Sequence, residues 1–268
     1  MTGLQKIIKY CAVAFAVFLM VSIIGGIIAA IGTLSVFFGD HDGTGELETY
    51  TVSGEITSLK VDITAADFQI LSAADFQVES NISDLDIREK DGVLLIEDRE
   101  HLRFNSDKRV LKLYIPENMV FDRIDIAVDA GKTRAAALSA DEVVLDLGAG
   151  SAEFDQLLAE RSARINGGAG EIVLRSSSLH DAELDIGAGR LVFRGALSGR
   201  CSVDTGVGAA RLELTGREED YFFKADKGLG VISVNGKKLA DHETSGSGET
   251  NVSLSNGVGE IKVVFEED

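Results

Sequence analysis

Tryptophan is absent from this chain, proline occurs once and cysteine twice in 268 residues. Each scarcity excludes something. Without tryptophan, and with aromatics at 6%, the chain is poorly equipped to stack on sugar rings. Cys11 lies in a long apolar run and Cys201 in a strand-like segment far from it. They form no internal bridge, so the region after the run is disulfide-free and draws its stability from packing. Cys201 reads as a small buried hydrophobe. The lone Pro116 follows an apolar alternation and opens a turn.

Catalytic and cofactor motifs are missing too. No Gly-x-x-x-x-Gly-Lys, Cys-x-x-Cys or His-Glu-x-x-His occurs, and no Gly-x-Gly-x-x-Gly stands between a strand and a helix. No metal, cofactor or catalytic residue is therefore assigned. His41, His101, His180 and His242 are scattered and read as exposed loop residues. Asn81-Ile82-Ser83 and Asn251-Val252-Ser253 fit the glycosylation pattern, which is short enough to arise by chance.

Basic residues are few: 26 Lys and Arg against 44 Asp and Glu give a formal charge of −18. The first 39 residues contribute Lys6 and Lys9 and no acid, leaving −20 for the remainder. Such a surface repels nucleic acid and anionic lipid headgroups and attracts cations and basic peptides. Its simplest use is solubility; a specific cationic ligand is the competing reading.

What is present falls into two parts. Tyr10 to Gly39 carries no charge and is rich in Val, Ile, Ala and Phe. About 20 apolar residues span a bilayer as a helix. Residues 10–39 are thus expected to form a transmembrane helix. Lys6 and Lys9 precede it, so residues 1–9 form a short cytoplasmic tail and the rest of the chain lies outside. A cleaved signal peptide is the rival reading. Against it, the run ends in Val36-Phe37-Phe38-Gly39, a poor cleavage site, and Cys11 sits too early for lipid attachment. Residues 40–49 form a linker and 50–268 an extracytoplasmic domain.

That domain is organised by six glycine frames: Gly148-Ala149-Gly150, Gly168-Ala169-Gly170, Gly187-Ala188-Gly189, Gly206-Val207-Gly208, Gly228-Leu229-Gly230 and Gly257-Val258-Gly259. The second glycines of the first four are 20, 19 and 19 residues apart. A fixed period near 20 marks a solenoid. Counting from the second glycine, positions +2 and +4 are apolar in every frame: Ala152 and Phe154, Ile172 and Leu174, Leu191 and Phe193, Ala210 and Leu212, Ile232 and Val234, Ile261 and Val263. A spacing of two places each pair on one face of a strand. Upstream, Ile126, Val128, Gly131, Thr133 and Ala135 fit the same frame, and so do Val61, Ile63, Ala66, Phe68 and Ile70. Residues 92–96 and 110–115 read as strands of less regular coils. Leu157–Ala163 is placed at a coil corner. The expected fold is all-β: a single-stranded parallel β-helix of about 19–22 residues per coil, each coil stacked on the one before. Thr244 to Glu249 reads as a loop before the last strand, whose apolar run caps or pairs an end; Glu266-Glu267-Asp268 then opposes end-to-end stacking.

Stacking also aligns outward residues. Position −4 holds Asp62, Asp146, Asn166, Asp185, Asp204 and Asp226. Neighbouring strands lie about 4.8 Å apart, and like charges directly opposite are destabilising. The ladder therefore needs screening, interleaved cations or bonds to nearby backbone. Bonding to turn backbone is the plain structural account; a groove for divalent cations or basic peptides is the alternative. The calcium-binding nonapeptide does not fit, because Gly167-Gly168-Ala169-Gly170-Glu171-Ile172 has isoleucine where aspartate is required.

Frames such as Leu145-Asp146-Leu147-Gly148-Ala149-Gly150 and Leu184-Asp185-Ile186-Gly187-Ala188-Gly189, together with the anchor and the acidic domain, resemble the putative-adhesin families of bacterial envelope proteins. In particular the chain looks like domain-of-unknown-function family 4097 (DUF4097), over about residues 50–266. The resemblance implies a single-stranded β-helix, an envelope location and, in some members, a link to envelope stress; it implies no catalytic residue. The expectation is a non-catalytic, membrane-anchored binding, adhesion or stress-sensing protein whose partners are the membrane and a cationic peptide or envelope protein. A polymerising scaffold and a β-helix polysaccharide-degrading enzyme are the alternatives.

Overall fold

The computed structural model describes residues 46–98 and 108–265. The expected tail, transmembrane helix and first part of the linker lie outside these residues, as do His41, His101 and Glu266-Glu267-Asp268. Among the described residues no helix is long and apolar enough to cross a membrane.

The described chain is all-β. Its strands are β1 (Glu48–Thr51), β2 (Ser58–Ala73), β3 (Gln77–Ser80), β4 (Leu85–Lys90), β5 (Val93–Asp98), β6 (Val110–Pro116), β7 (Phe121–Ala135), β8 (Leu138–Phe154), β9 (Leu157–His180), β10 (Ala182–Ser198), β11 (Arg200–Leu214), β12 (Tyr221–Lys227), β13 (Val231–Val234), β14 (Lys237–Leu239), β15 (Thr244–Gly246) and β16 (Thr250–Phe265). A single 3-10 turn, Glu218–Asp220, precedes β12.

Alternation decides which side chains go inside. In β10, Ala182, Leu184 and Ile186 are buried and Glu183 and Asp185 exposed. After the Gly187-Ala188-Gly189 bend the buried set includes Leu191 and Phe193, with Arg190 and Arg194 exposed. The inward parity thus switches from even to odd across the bend, and the strand turns a corner there. Strands β7 to β11 and β16 run parallel with these bends in register: Gly131, Gly150, Gly170, Gly189, Gly208 and Gly259 are successive partners.

The bend requires glycine for two reasons, seen best at Gly170. Its φ is +144°, a region closed to other residues. A Cβ there would also overlap the carbonyl oxygen of Gly150 on the neighbouring strand, at 1.8 Å.

Inward residues stack in columns. Phe154, Leu174, Phe193, Leu212, Val263 and Val234 are successive register partners, and all are buried. The 20-residue interval has a local cause. Ala140 pairs Ala159 but Glu142 pairs Ser162, so β9 carries one extra residue as a bulge. Leu157–Ala163, expected as a corner, is the start of β9 and contains this bulge: Leu157, Ala159 and Ala163 are buried, and Glu160, Arg161 and Ser162 are all exposed.

The order of stacking departs from the order of the chain at both ends. Strand β2 lies between β7 on one side and β5 and β6 on the other. Strand β16 lies between β11 and the pair β12 and β13. The last strand was expected at an end; it is an interior rung. The two outermost layers are each split into two short strands, and each short strand is covered by an antiparallel partner. At one end β4 covers β5 and β3 covers β6; at the other β15 covers β12 and β14 covers β13. Short covering strands blunt edges that would otherwise template further pairing. Tyr221, Phe223 and Phe265 seal the β16 end, with ring centroids 5.2–6.2 Å apart.

Candidate functional site

The face that precedes the glycine bend carries the acidic column. Register partners run Glu97, Asp62, Ala127, Asp146, Asn166, Asp185, Asp204, Ser255 and Asp226. All six residues singled out from the sequence fall in this column. Ala127 separates Asp62 from Asp146, Ser255 separates Asp204 from Asp226, and Glu97 extends the column beyond Asp62. Asn166 donates its Nδ2–H to Asp146 Oδ1 at 2.6 Å, which places an amide between two carboxylates. Among the described residues, no basic side chain forms an ion pair with Asp185, Asp204 or Asp226; His242, discussed below, pairs with Asp241 instead. The bonds to turn backbone that the plain structural account calls for are not made by these three.

Asp62 shows the cost of partial burial among other acids. Desolvation, then the carboxylates of Asp129 and Glu97, push its carboxyl above the ordinary range, with Lys60 opposing and Asp125 reinforcing. A carboxyl whose folded pKa exceeds its unfolded value binds its proton more tightly in the fold. Its charged form therefore weakens the fold above that pKa, and the penalty disappears as pH falls toward the unfolded value. Asp62→Asn is expected to raise Tm at pH 7, with the gain vanishing below about pH 4. Thermal melts across pH check this; an unchanged Tm at pH 7 contradicts it.

The face that follows the bend is charged differently. Arg134 and Lys108 contact the buried Asp67 at 2.8 and 3.2 Å. Burial alone would raise the Asp67 carboxyl, but hydrogen bonds from Arg134 and Lys108 hold it below the usual range. Arg190 pairs with Glu171 at 3.1 Å, and Arg175 with Asp155 at 3.0 Å and Glu153 at 3.3 Å. Glu213 is clamped between Arg211 and Arg194. Here acids and arginines neutralise one another; before the bend Arg164–Glu183 at 2.8 Å and Arg123–Glu142 at 3.0 Å do the same beside the column, whereas Asp185, Asp204 and Asp226 have no lysine or arginine partner among the described residues.

Other expected residues are placed as follows. Cys201 is buried, and burial pushes its thiol up. Asn81 is not an open acceptor for sugar: its Nδ2–H donates to Lys108 O and its Oδ1 accepts from the Val110 N–H, each at 2.7 Å. His180 ends β9 rather than lying in a loop, and its Nδ1 is 2.9 Å from Ser198 Oγ. Asp181 Oδ1 lies 3.8 Å from the other ring nitrogen and accepts the Arg200 N–H at 2.8 Å. A Ser-His-Asp relay needs the carboxylate hydrogen-bonded to the imidazole. Here the carboxylate is held by backbone instead, so the group braces a corner. His242 is exposed on the β14–β15 connection and meets Asp241 and Asp226. The sequence alone does not mark this group, since Asp241 lies 15 positions after Asp226 and only the folding back of β15 brings them together.

No protein-family model and no curated protein matches this chain. Solved structures do align with it. A "putative cell adhesion protein" from Clostridium sporogenes is 15% identical, with 82% of this chain and 99% of that one covered and a TM-score of 0.37. A "putative adhesin" from Bacteroides fragilis is 15% identical over 81% of this chain and 95% of that one, with a TM-score of 0.43. A "putative lipid binding protein" from Parabacteroides distasonis is 15% identical over 82% and 98%, with a TM-score of 0.37.

Proposed function

We propose that this chain is a non-catalytic, membrane-anchored cell-envelope protein. In this reading its strands wind as a single-stranded parallel β-helix and present an acidic column to basic peptides. The observation that carries the reading is the row Asp185, Asp204 and Asp226, aligned on one face without lysine or arginine partners, whereas the neighbouring acids of both faces are ion-paired. A polycation with charges a few ångströms apart would replace mutual repulsion by attraction along the row.

The winding is supported by the links between strands. Only residues 136–137 separate β7 from β8, 155–156 separate β8 from β9, and single residues separate β9 from β10 and β10 from β11. Parallel neighbours ordinarily need a crossover of a dozen residues or more. With one or two, the strand itself has to travel round and return above its own start. The anchor rests on the uncharged run from Tyr10 to Gly39, and membership of DUF4097 on the frames quoted above. The covered outer strands disfavour a polymerising scaffold.

Titration calorimetry of the full-length protein in detergent with a lysine-rich peptide tests the reading. Binding heat is expected at about 20 mM salt and its loss at about 500 mM, where screening shortens to a few ångströms. Absence of heat at low salt overturns it.

A further inference from the structure

At the β16 end the acidic column runs into a histidine. Asp226, the last residue of β12 but one, ends the column. Asp241 and His242 sit on the connection between β14 and β15, which folds back over β12. One ligand atom from each of the three residues lies within 4.8 Å of the others. His242 Nε2 is 3.5 Å from Asp241 Oδ2. Two donors on a tetrahedral metal with bonds of about 2.1 Å stand about 3.4 Å apart, so this pair already has the spacing of a chelate. Asp226 is an exposed aspartate with a carboxylate oxygen within 4.8 Å of both donors, so a change of side-chain rotamer suffices to complete the set.

The surroundings place these donors without using them up. Asp241 Oδ1 accepts the Lys227 N–H at 3.0 Å, which turns Oδ2 toward the imidazole. Glu243, the other acid on the connection, is committed elsewhere: Oε2 accepts the Ala240 N–H at 2.7 Å and Oε1 pairs with Lys237 at 2.9 Å. The connection is further tied down by the Ala225 N–H donating to Glu243 O at 2.9 Å. The charge around the site is mixed: Lys227 adjoins Asp226 and holds the Asp241 carboxyl below its usual range, and Lys237 is paired with Glu243, while acids continue inward along the column. The column partners on the inner side of Asp226 are Ser255 and then Asp204, and Asp204 has no ion pair among the described residues.

We propose that Asp226, Asp241 and His242 form a binding site for a divalent first-row transition metal. Two carboxylate oxygens with one imidazole nitrogen suit zinc or manganese better than the all-oxygen shells that calcium and magnesium take. Water fills the open positions, since the site faces solvent. A bound ion cross-links the β14–β15 connection to β12 and so clamps the covering strand over the exposed end of the stack. The site goes beyond the peptide-binding reading and stands or falls without it.

The test is calorimetry of the untagged full-length protein in detergent, freed of metal and titrated with zinc chloride, with calcium chloride in parallel. His242 has φ +59°, a conformation asparagine tolerates better than alanine, so His242→Asn removes the imidazole without disturbing the turn. One equivalent of zinc is expected, with calcium binding far more weakly. Affinity for zinc should fall about tenfold or more in His242→Asn and in Asp226→Asn, and stay unchanged in Asp185→Asn. Zinc binding at wild-type affinity in His242→Asn, uptake of several equivalents indifferent to His242, or no zinc binding at all overturns the proposal.

Discussion

Replacing Gly170 with alanine is expected to destabilise the protein by about 3–5 kcal/mol, a loss far larger than a methyl group normally causes on a surface bend. Two effects combine. Gly170 adopts φ +144°, so the backbone has to shift for any L side chain. The added Cβ would also fall 1.8 Å from Gly150 O and 2.8 Å from Gly150 C. Both are backbone atoms of the next strand, which is held in register along its length with Gly150 opposite Gly170. Relief thus requires opening the ladder. Gly236 supplies the control. It too has positive φ, +81°, but nothing lies within 4 Å of its added Cβ. Gly236→Ala carries backbone strain alone, about 1–2 kcal/mol. Denaturant melts of the two variants check the difference; equal losses would mean the bends are not packed against one another.

Deleting residues 250–268 is expected to undo more than the deleted strand. Val252, Leu254, Ile261 and Val263 of β16 are all buried, between β11 on one side and β12 and β13 on the other. At about 1.5–3 kcal/mol for each such side chain, the removal costs on the order of 10 kcal/mol locally. Residues 221–246 lose their partner in the same step. Hydrogen exchange should show 221–246 unprotected while β7 to β10 stay protected. Were the strands stacked in chain order, the deletion would strip only an outer layer and 221–246 would keep their protection.

The repeat itself was legible because its signals are local. The spacing of Leu184 and Ile186, then Leu191 and Phe193, around Gly187-Ala188-Gly189 gives strand, bend and strand without knowledge of the neighbours. The column followed from it, since one frame counts out every outward residue. Counting the same frame in β7 and β16 also finds Ala127 and Ser255, the two uncharged members. Glu97 was beyond reach, because β5 has no glycine frame to count from.

The exchanged order at the ends was not legible. Leu254 and Ala225 are both apolar, and either suits the place beside Val203. Inward chemistry therefore cannot say which strand lies next to β11. The one available sign was the interval between second glycines, which lengthens to 22 and then 29 residues after Gly208. The metal donors were hidden for a related reason. Asp241 and His242 belong to no repeat, and their meeting with Asp226 depends on the antiparallel pairing of β15 with β12.

The central claim is that one face of the stack carries unneutralised carboxylates and that this face is what basic partners meet. Peptide titration at low salt of two double variants tests it most directly: Asp185→Asn with Asp204→Asn, and Glu153→Gln with Glu171→Gln on the face that follows the bend. Each pair removes two charges, so the net charge of the two proteins is the same. The account predicts that the first pair abolishes most of the binding heat and the second leaves it near wild type. Equal losses from both pairs would contradict it, because binding would then follow total charge and not the column.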